Sequence, residues 1–140
     1  AIGKIEEADK AYMRSHGWRL VPSVSVAEPE AYRAYIQASR GEFTVAKDQN
    51  IRLHSGWFSD RSACYLAAGR PVITQDTGFG NILPTGAGLF AFTTAEEALE
   101  AIEIVARDYA RHSAAARQIA QEYFAAEHVL GAVLRRMGLL

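Results

Sequence analysis

Two short stretches hold the residues best suited to chemistry. The first runs His54-Ser55-Gly56-Trp57-Phe58-Ser59-Asp60-Arg61-Ser62, the second Asp76-Thr77-Gly78-Phe79, and Lys47 stands upstream of both. A Gly- and Ser-bearing turn that ends at a helix amino terminus presents several N–H groups and the positive end of a dipole, which suits an anion and phosphate above all. Ser59 or Asp60 can be the N-cap of that helix, accepting from amides that otherwise lack partners. On the plainer reading capping is all they do. Arg61, in the first helical turn, is badly placed for the dipole and needs a ligand or a carboxylate to explain it. Lys47 can neutralise a diphosphate; the plainer alternative is a solvated strand-end lysine. The candidates for binding a phosphorylated substrate are therefore Lys47, His54, Ser55, Gly56, Ser59, Asp60, Arg61, Ser62, Asp76, Thr77, Gly78 and Phe79. No catalytic residue is identified, and no metal site or cofactor is expected. No zinc spacing, Walker loop or Ser-His-Asp arrangement can be assembled, and Gly78-x-Gly80 lacks the third glycine of a dinucleotide fingerprint.

Positioning these residues takes a covered parallel sheet. Pro71-Val72-Ile73-Thr74, β-branched and flanked by Gly69 and Asp76-Thr77-Gly78, reads as a buried strand. The short helix before it carries Ala63, Leu66 and Ala67 at helical spacing and stops at Gly69. Phe43-Thr44-Val45-Ala46 reads as a strand that leaves through a polar turn at Lys47-Asp48-Gln49-Asn50, and Gly88 to Phe92 as another. Trp18 to Ser23 is expected to be a short strand ended by Pro22. A helix is expected over roughly 3 to 16 with Gly17 as the stop, and a second is entered through the turn from Ser25 to Glu30, with Pro29 in its first turn and Tyr32, Tyr35, Ile36 and Ser39 turned to the sheet. Thr94 with Glu97 forms a capping box for a helix whose buried stripe is Ala98, Leu99, Ile102, Val105 and Tyr109. His112-Ser113 interrupts the pattern. Ala116, Ile119, Ala120, Tyr123 and Phe124 then start a second stripe, and Val129, Leu130, Val133, Leu134 and Met137 a third. The fold class is α/β, a Rossmann-like three-layer α/β/α arrangement on a mainly parallel sheet of about four strands. In such sheets ligands sit beyond the carboxyl ends of the strands. The loops at Lys47, at 55–59 and at 76–80 are therefore expected to converge on one edge.

Bulk properties narrow the class. At 140 residues the chain is a single domain's worth, 49% apolar, with a formal charge of −1. No basic stripe argues for nucleic acid. No apolar run approaches the roughly 20 residues of a membrane helix, and the start shows no signal-peptide core. The lone cysteine, Cys64, falls mid-helix among Ala and Leu; a buried reduced thiol and a cytoplasmic setting are expected. The sequence begins without Met, as a trimmed or excised chain would.

With Gly69 and Pro71 as anchors, the run from Arg52 to Thr77 resembles the sugar-nucleotide-binding (donor) half of GT-B glycosyltransferases. The likeness continues through Leu83-Pro84-Thr85-Gly86, Gly88-Leu89-Phe90 and Thr94-Ala95-Glu96-Glu97-Ala98, and upstream through Tyr32 to Lys47, covering roughly residues 17 to 138. His54-Ser55-Gly56-Trp57 also resembles the His-x-Gly-Trp of plant glycosyltransferases, which implies a phosphate contact for His54; Trp57 reads as packing under its loop. The resemblance implies binding of a UDP-, GDP- or ADP-type nucleotide sugar, and hexosyl transfer by a full-length parent. The two Glu residues that many retaining members carry eight positions apart fall here on Gly56 and Cys64, with Asp60 one turn before Cys64 as a ribose-binding substitute. The acceptor domain and the first two donor-domain strands have no counterpart, so the isolated chain is expected to be an incomplete, inactive donor domain. The alternative is a noncatalytic remnant serving as an oligomeric interaction module; a third reading is an unrelated doubly wound protein. Unpaired strand edges and bare apolar positions on the closing helices would need covering, and a homodimer is expected on that ground.

Overall fold

The computed structural model describes residues 5–140. The chain forms two units that meet at the Ala38–Ser39 boundary.

In the first unit, α1 (Glu7–Ser15) is stopped by Gly17, whose φ of +81° closes the last turn. The expected start of this helix at residues 3 and 4 lies outside the described residues. The strand expected over 18–23 does not form; only Pro22 makes an isolated bridge. Proline has no N–H to give a ladder, and the Pro22 carbonyl is taken by the Ser25 amide and hydroxyl as the chain turns into a 3-10 segment, Ser23–Val26. Helix α2 (Pro29–Ala38) starts with Pro29 in its first turn, where the missing N–H is harmless. Ile36 is buried, and Tyr32 and Tyr35 are half-buried.

The second unit is α/β. Its sheet has three parallel strands in the order β1 (Glu42–Thr44), β2 (Val72–Gln75), β3 (Leu89–Phe92). The register sets Phe43 beside Ile73 and Ile73 beside Phe90. These three and Phe92 point one way, as alternation demands. Ala98, Ala101 and Val105 of α5 (Ala95–Arg107) close that core. Val72, Thr74 and Leu89 are buried on the reverse face. There α4 (Asp60–Ala67) and α6 (Tyr109–Phe124) pack on each other and against β2 and β3. The sheet therefore has three strands where about four were expected, the shortfall being the segment around Pro22.

Local chemistry explains most boundaries. The capping box at Thr94 and Glu97 forms. The amides of Gly69 and Arg70 close the end of α4 on the carbonyls of Leu66 and Tyr65, with Gly69 at φ +67°. Four residues run against expectation. Leu99 and Ile102 of α5 are exposed, and Ala101 takes the inward place. His112 and Ser113, read as an interruption, lie inside α6; the helix break falls at Asp108, which caps α6 by accepting from the Arg111 amide. His112 is buried and its Nδ1 accepts from the Gly88 amide at 3.3 Å, while the Ser113 hydroxyl donates to the Gly69 carbonyl at 2.7 Å. Both polar side chains satisfy main-chain groups of the glycine turns that flank β2 and β3.

Helix α7 (Ala126–Arg136) follows α6 after one extended residue, Ala125. Val129, Leu130, Val133, Leu134 and Met137 are all exposed, which is the bare apolar stripe expected of the closing helices. Among the described residues no helix is long and apolar enough to cross a membrane.

Candidate functional site

The carboxyl ends of β1 and β2 and the loop entering α4 do converge. The Gly56 amide donates to the Thr77 carbonyl at 2.8 Å, and the Thr77 hydroxyl returns a bond of 2.6 Å to the Trp57 carbonyl. Thr77 is only 1% exposed, and this reciprocal pair ties the exposed Gly56–Trp57 segment to a buried residue as a clasp between the two loops. Gly78 lets them close: its φ is +89°, and a Cβ there would lie 3.3 Å from the His54 carbonyl oxygen. The end of β1 is tied in where the Ala46 amide donates to the Gln75 side chain at 3.3 Å. Between Lys47 and the loop the chain forms a short helix, α3 (Asp48–Arg52), where a polar turn was expected. Asp48 in its first turn and Arg52 in its last complement the helix dipole. Lys47 is the N-cap of α3, and His54 follows its carboxyl end with φ +43°, the one non-glycine residue at positive φ among those described. Ser55 is held over Asn50 by amide-to-carbonyl and hydroxyl-to-side-chain bonds, both 3.2 Å, and its hydroxyl accepts from the Trp57 amide.

The candidate residues divide by accessibility. Lys47, His54, Ser55, Gly56, Asp60 and Arg61 are exposed, and Asp76 and Gly78 are half-buried. Ser59, Ser62, Thr77 and Phe79 are buried, so their side chains hold the scaffold instead of facing a ligand. Ser59 is the N-cap of α4, accepting from the Arg61 amide at 3.2 Å. That amide also donates to Asp60 at 2.8 Å, which sets a carboxylate at the helix amino terminus where an anion would bind. Arg61 has the carboxylate partner its position required: Nε donates to buried Glu42, and Nη2 to the Thr44 hydroxyl at 2.9 Å. It ties α4 to β1. Asp76 accepts from the Gly78 amide at 2.8 Å in an Asx turn. The Ser62 hydroxyl, on a residue 1% exposed, makes no hydrogen bond within the described chain, an exception among buried polar groups.

Aromatic packing under the loop differs from expectation. Trp57 is exposed, and Phe58 fills the space below. Phe58 is tilted against Phe79 at 5.4 Å and stacked on Phe124, from the far end of α6, at 5.6 Å. Sequence reasoning gave Phe58 no role of its own and Phe124 only a place in an apolar stripe, and did not pair them. Phe58 sits in a segment without apolar period, and Phe124 is 66 positions away. Cys64 is exposed, contrary to the buried thiol expected; the core-facing residues of α4 are Ser62, Tyr65 and Leu66. Among the described residues no group of three or more His, Cys, Asp or Glu is placed to hold a metal ion.

A cleft of about 190 Å³ lies elsewhere, between α5 and the amino ends of β1 and β2. Phe43, Pro71, Ile73, Ile102 and Val105 give it an apolar lining. Its charged neighbours are engaged, Glu42 with Arg61 and Arg40 over the Tyr109 ring at 4.8 Å. It lacks the convergent polar groups a nucleotide needs.

Compared with known proteins, the chain matches no family model, no curated protein and no solved structure.

Proposed function

We propose that these 140 residues form a partial donor domain of the GT-B glycosyltransferase kind, Rossmann-like in architecture, that binds a nucleotide-diphosphate sugar at the carboxyl edge of β1 and β2. The observation that carries this reading is the clasp of Gly56, Trp57 and Thr77, which brings the loops of 53–58 and 76–80 onto the edge where open parallel sheets hold ligands. Lys47 and His54 bracket α3 on that edge and are exposed. They are the groups to meet the diphosphate, whose charge in the transferring parent would be stabilised by cations and main-chain amides. Asp60 and Asp76, the carboxylates nearby, suit ribose or sugar hydroxyls. On this reading the chain alone binds donor, and transfer needs the acceptor domain of a full-length parent.

A thermal-shift titration with UDP, GDP and ADP, each with and without magnesium, tests the reading. Ligand at ten times its dissociation constant adds about 1.4 kcal/mol to a native state that alone binds it. One nucleotide is expected to raise the melting temperature of the native chain by a few degrees and to leave Lys47→Ala/His54→Asn unmoved. Asn is chosen because it tolerates the positive φ of position 54. No shift with any nucleotide at 10 mM overturns the donor reading.

A second reading is favoured by a different observation. The exposed stripe of α7, from Val129 to Met137, is the surface of an interaction module, and a noncatalytic remnant that pairs as a homodimer would cover it.

A further inference from the structure

We infer that Phe124, at the last turn of α6, is a positioning residue for the donor loop, acting through Phe58. This inference rests on the donor reading for its functional consequence, and on packing alone for its physical content.

The loop of 53–58 is held on two sides by main-chain bonds to 76–78 and to α3. Those bonds fix its backbone toward β2 and leave open what supports it from below. Phe58 supplies that support, and two aromatic rings among the described residues lie against its own. Phe79 is buried in the 3-10 turn after Gly78, so it moves with the β2 loop that the clasp already secures. Phe124 comes from a different element, and its ring lies within 15° of parallel to Phe58. Offset stacking of this kind is directional beyond plain burial.

Two features make the α6 end a firm support. The helix is anchored at its start by Asp108, His112 and Ser113, the last two bonded to the Gly88 and Gly69 turns. Gly88 also sits against the α6 backbone, where a Cβ would meet the Ala116 nitrogen at 2.3 Å. A helix pinned at that depth transmits its placement to Phe124 two turns further on. Phe124 therefore sets the height of Phe58, and with it the path of Ser55, Gly56 and Trp57 on the exposed side of the loop.

The test separates positioning from general stability. In Phe124→Ala, amide hydrogen exchange at Ser55, Gly56 and Trp57, each bonded within the loop system, is expected to quicken at least tenfold. Exchange of the β2 amides of Val72 to Thr74 is expected to stay within twofold of native. Emission of Trp57, read in a Trp18→Phe background, shifts in parallel. Phe124→Tyr keeps the ring and restores native exchange, whereas Phe124→Leu keeps the apolar volume and does not. Equal acceleration in the loop and in β2, or full rescue by Leu, makes Phe124 a core residue and overturns the inference. So does unchanged exchange in a folded Ala variant. In the nucleotide titration, Phe124→Ala is expected to lose the shift and Phe124→Tyr to keep it. If the native chain shows no shift, the donor reading falls while the exchange data still decide the role of Phe124.

Discussion

Gly88→Ala tests the joint that seats α6 on the sheet, and Gly86→Ala is its internal control. Both glycines hold positive φ, +75° at Gly88 and +95° at Gly86, so both alanines incur a backbone penalty of roughly 1–2 kcal/mol or more, no smaller at Gly86 on φ alone. They differ in space. Nothing lies within 4 Å of a Cβ at Gly86, whereas at Gly88 the Ala116 nitrogen is 2.3 Å away and the Ala115 carbonyl carbon 2.8 Å. These are main-chain atoms in the middle of a helix and cannot swing aside. Relief to an ordinary contact of 3.4 Å means parting β3 from α6 by about 1 Å. That movement stretches the Gly88 amide from His112, already at 3.3 Å, and disturbs the packing of α4 and α6 on β2 and β3.

Overpacking of this kind costs about 1–3 kcal/mol, and the weakened bond to His112 adds up to about 1 kcal/mol. The steric excess of Gly88→Ala over Gly86→Ala is therefore about 1–4 kcal/mol. For a unit near 100 residues each kcal/mol moves the melting temperature by about 4 °C or more. Gly88→Ala should then melt at least about 4 °C below Gly86→Ala, and urea denaturation should show the same order at unchanged m-value. If the two variants unfold within about 2 °C of each other, the close approach of β3 and α6 is refuted. The firm anchorage of α6 that supports Phe124 would go with it.

Two further outcomes follow from other parts of the molecule. Glu97 accepts from the Thr93 amide at 2.6 Å, the Thr93 hydroxyl at 2.7 Å and the Thr94 amide, and these bonds hold its carboxyl below the ordinary value near 4.5. Because the folded state depresses this group, its contribution is complete above the unfolded value and is lost as pH falls through the folded one. Denaturation midpoints of the native chain should therefore drop on acidification below pH 4.5, and those of Glu97→Gln should drop less; equal slopes would remove the capping box as the cause. If α7 covers itself with a second copy, sedimentation velocity at rising micromolar concentrations should show a dimer, and Leu130→Asp/Val133→Asp should remain monomeric with native helicity. A native chain that sediments as a monomer throughout would end the homodimer reading.

The fold was legible where one residue's chemistry decides a boundary. Gly17, Pro29, Gly69 and the Thr94–Glu97 pair each mark an element end that the structure places within about a residue or two of expectation. It was not legible where a side chain's partner is far away in sequence. His112 and Ser113 look like a break because both are polar, yet each fills the vacancy of a glycine turn 24 or 44 positions earlier. The stripe expected for α5 included Leu99 and Ile102 and left out Ala101, yet Ala101 is the residue buried with Ala98 and Val105 against Ile73 and Phe90. Cys64 and Trp57 were assigned inward on average preference, and their neighbours Tyr65 and Phe58 took those places. The convergence of loops followed from a topological rule and held. Which of their side chains reach solvent depended on bonds that no spacing encodes.

Those bonds also decide from which direction an anion can approach. The amino terminus of α4 was the first candidate for phosphate, but its Arg61 amide already serves Ser59 and Asp60, and the Asp60 carboxylate stands in front of it. Arg61, the cation of that turn, is drawn back to Glu42 and Thr44. Repulsion by Asp60 offsets much of what the helix dipole offers, since each is worth on the order of 1 kcal/mol near a surface. On the other side of the loop, Lys47 and His54 flank α3, and the acid between them in sequence, Asp48, pairs with Arg52. On the donor reading proposed above, a diphosphate on this edge would be held from the α3 side. Removing the charge at Asp60 with Asp60→Asn should then weaken the nucleotide-sugar shift in the thermal titration, because Asp60 is the carboxylate proposed for ribose or sugar hydroxyls, and an unchanged shift would refute that role.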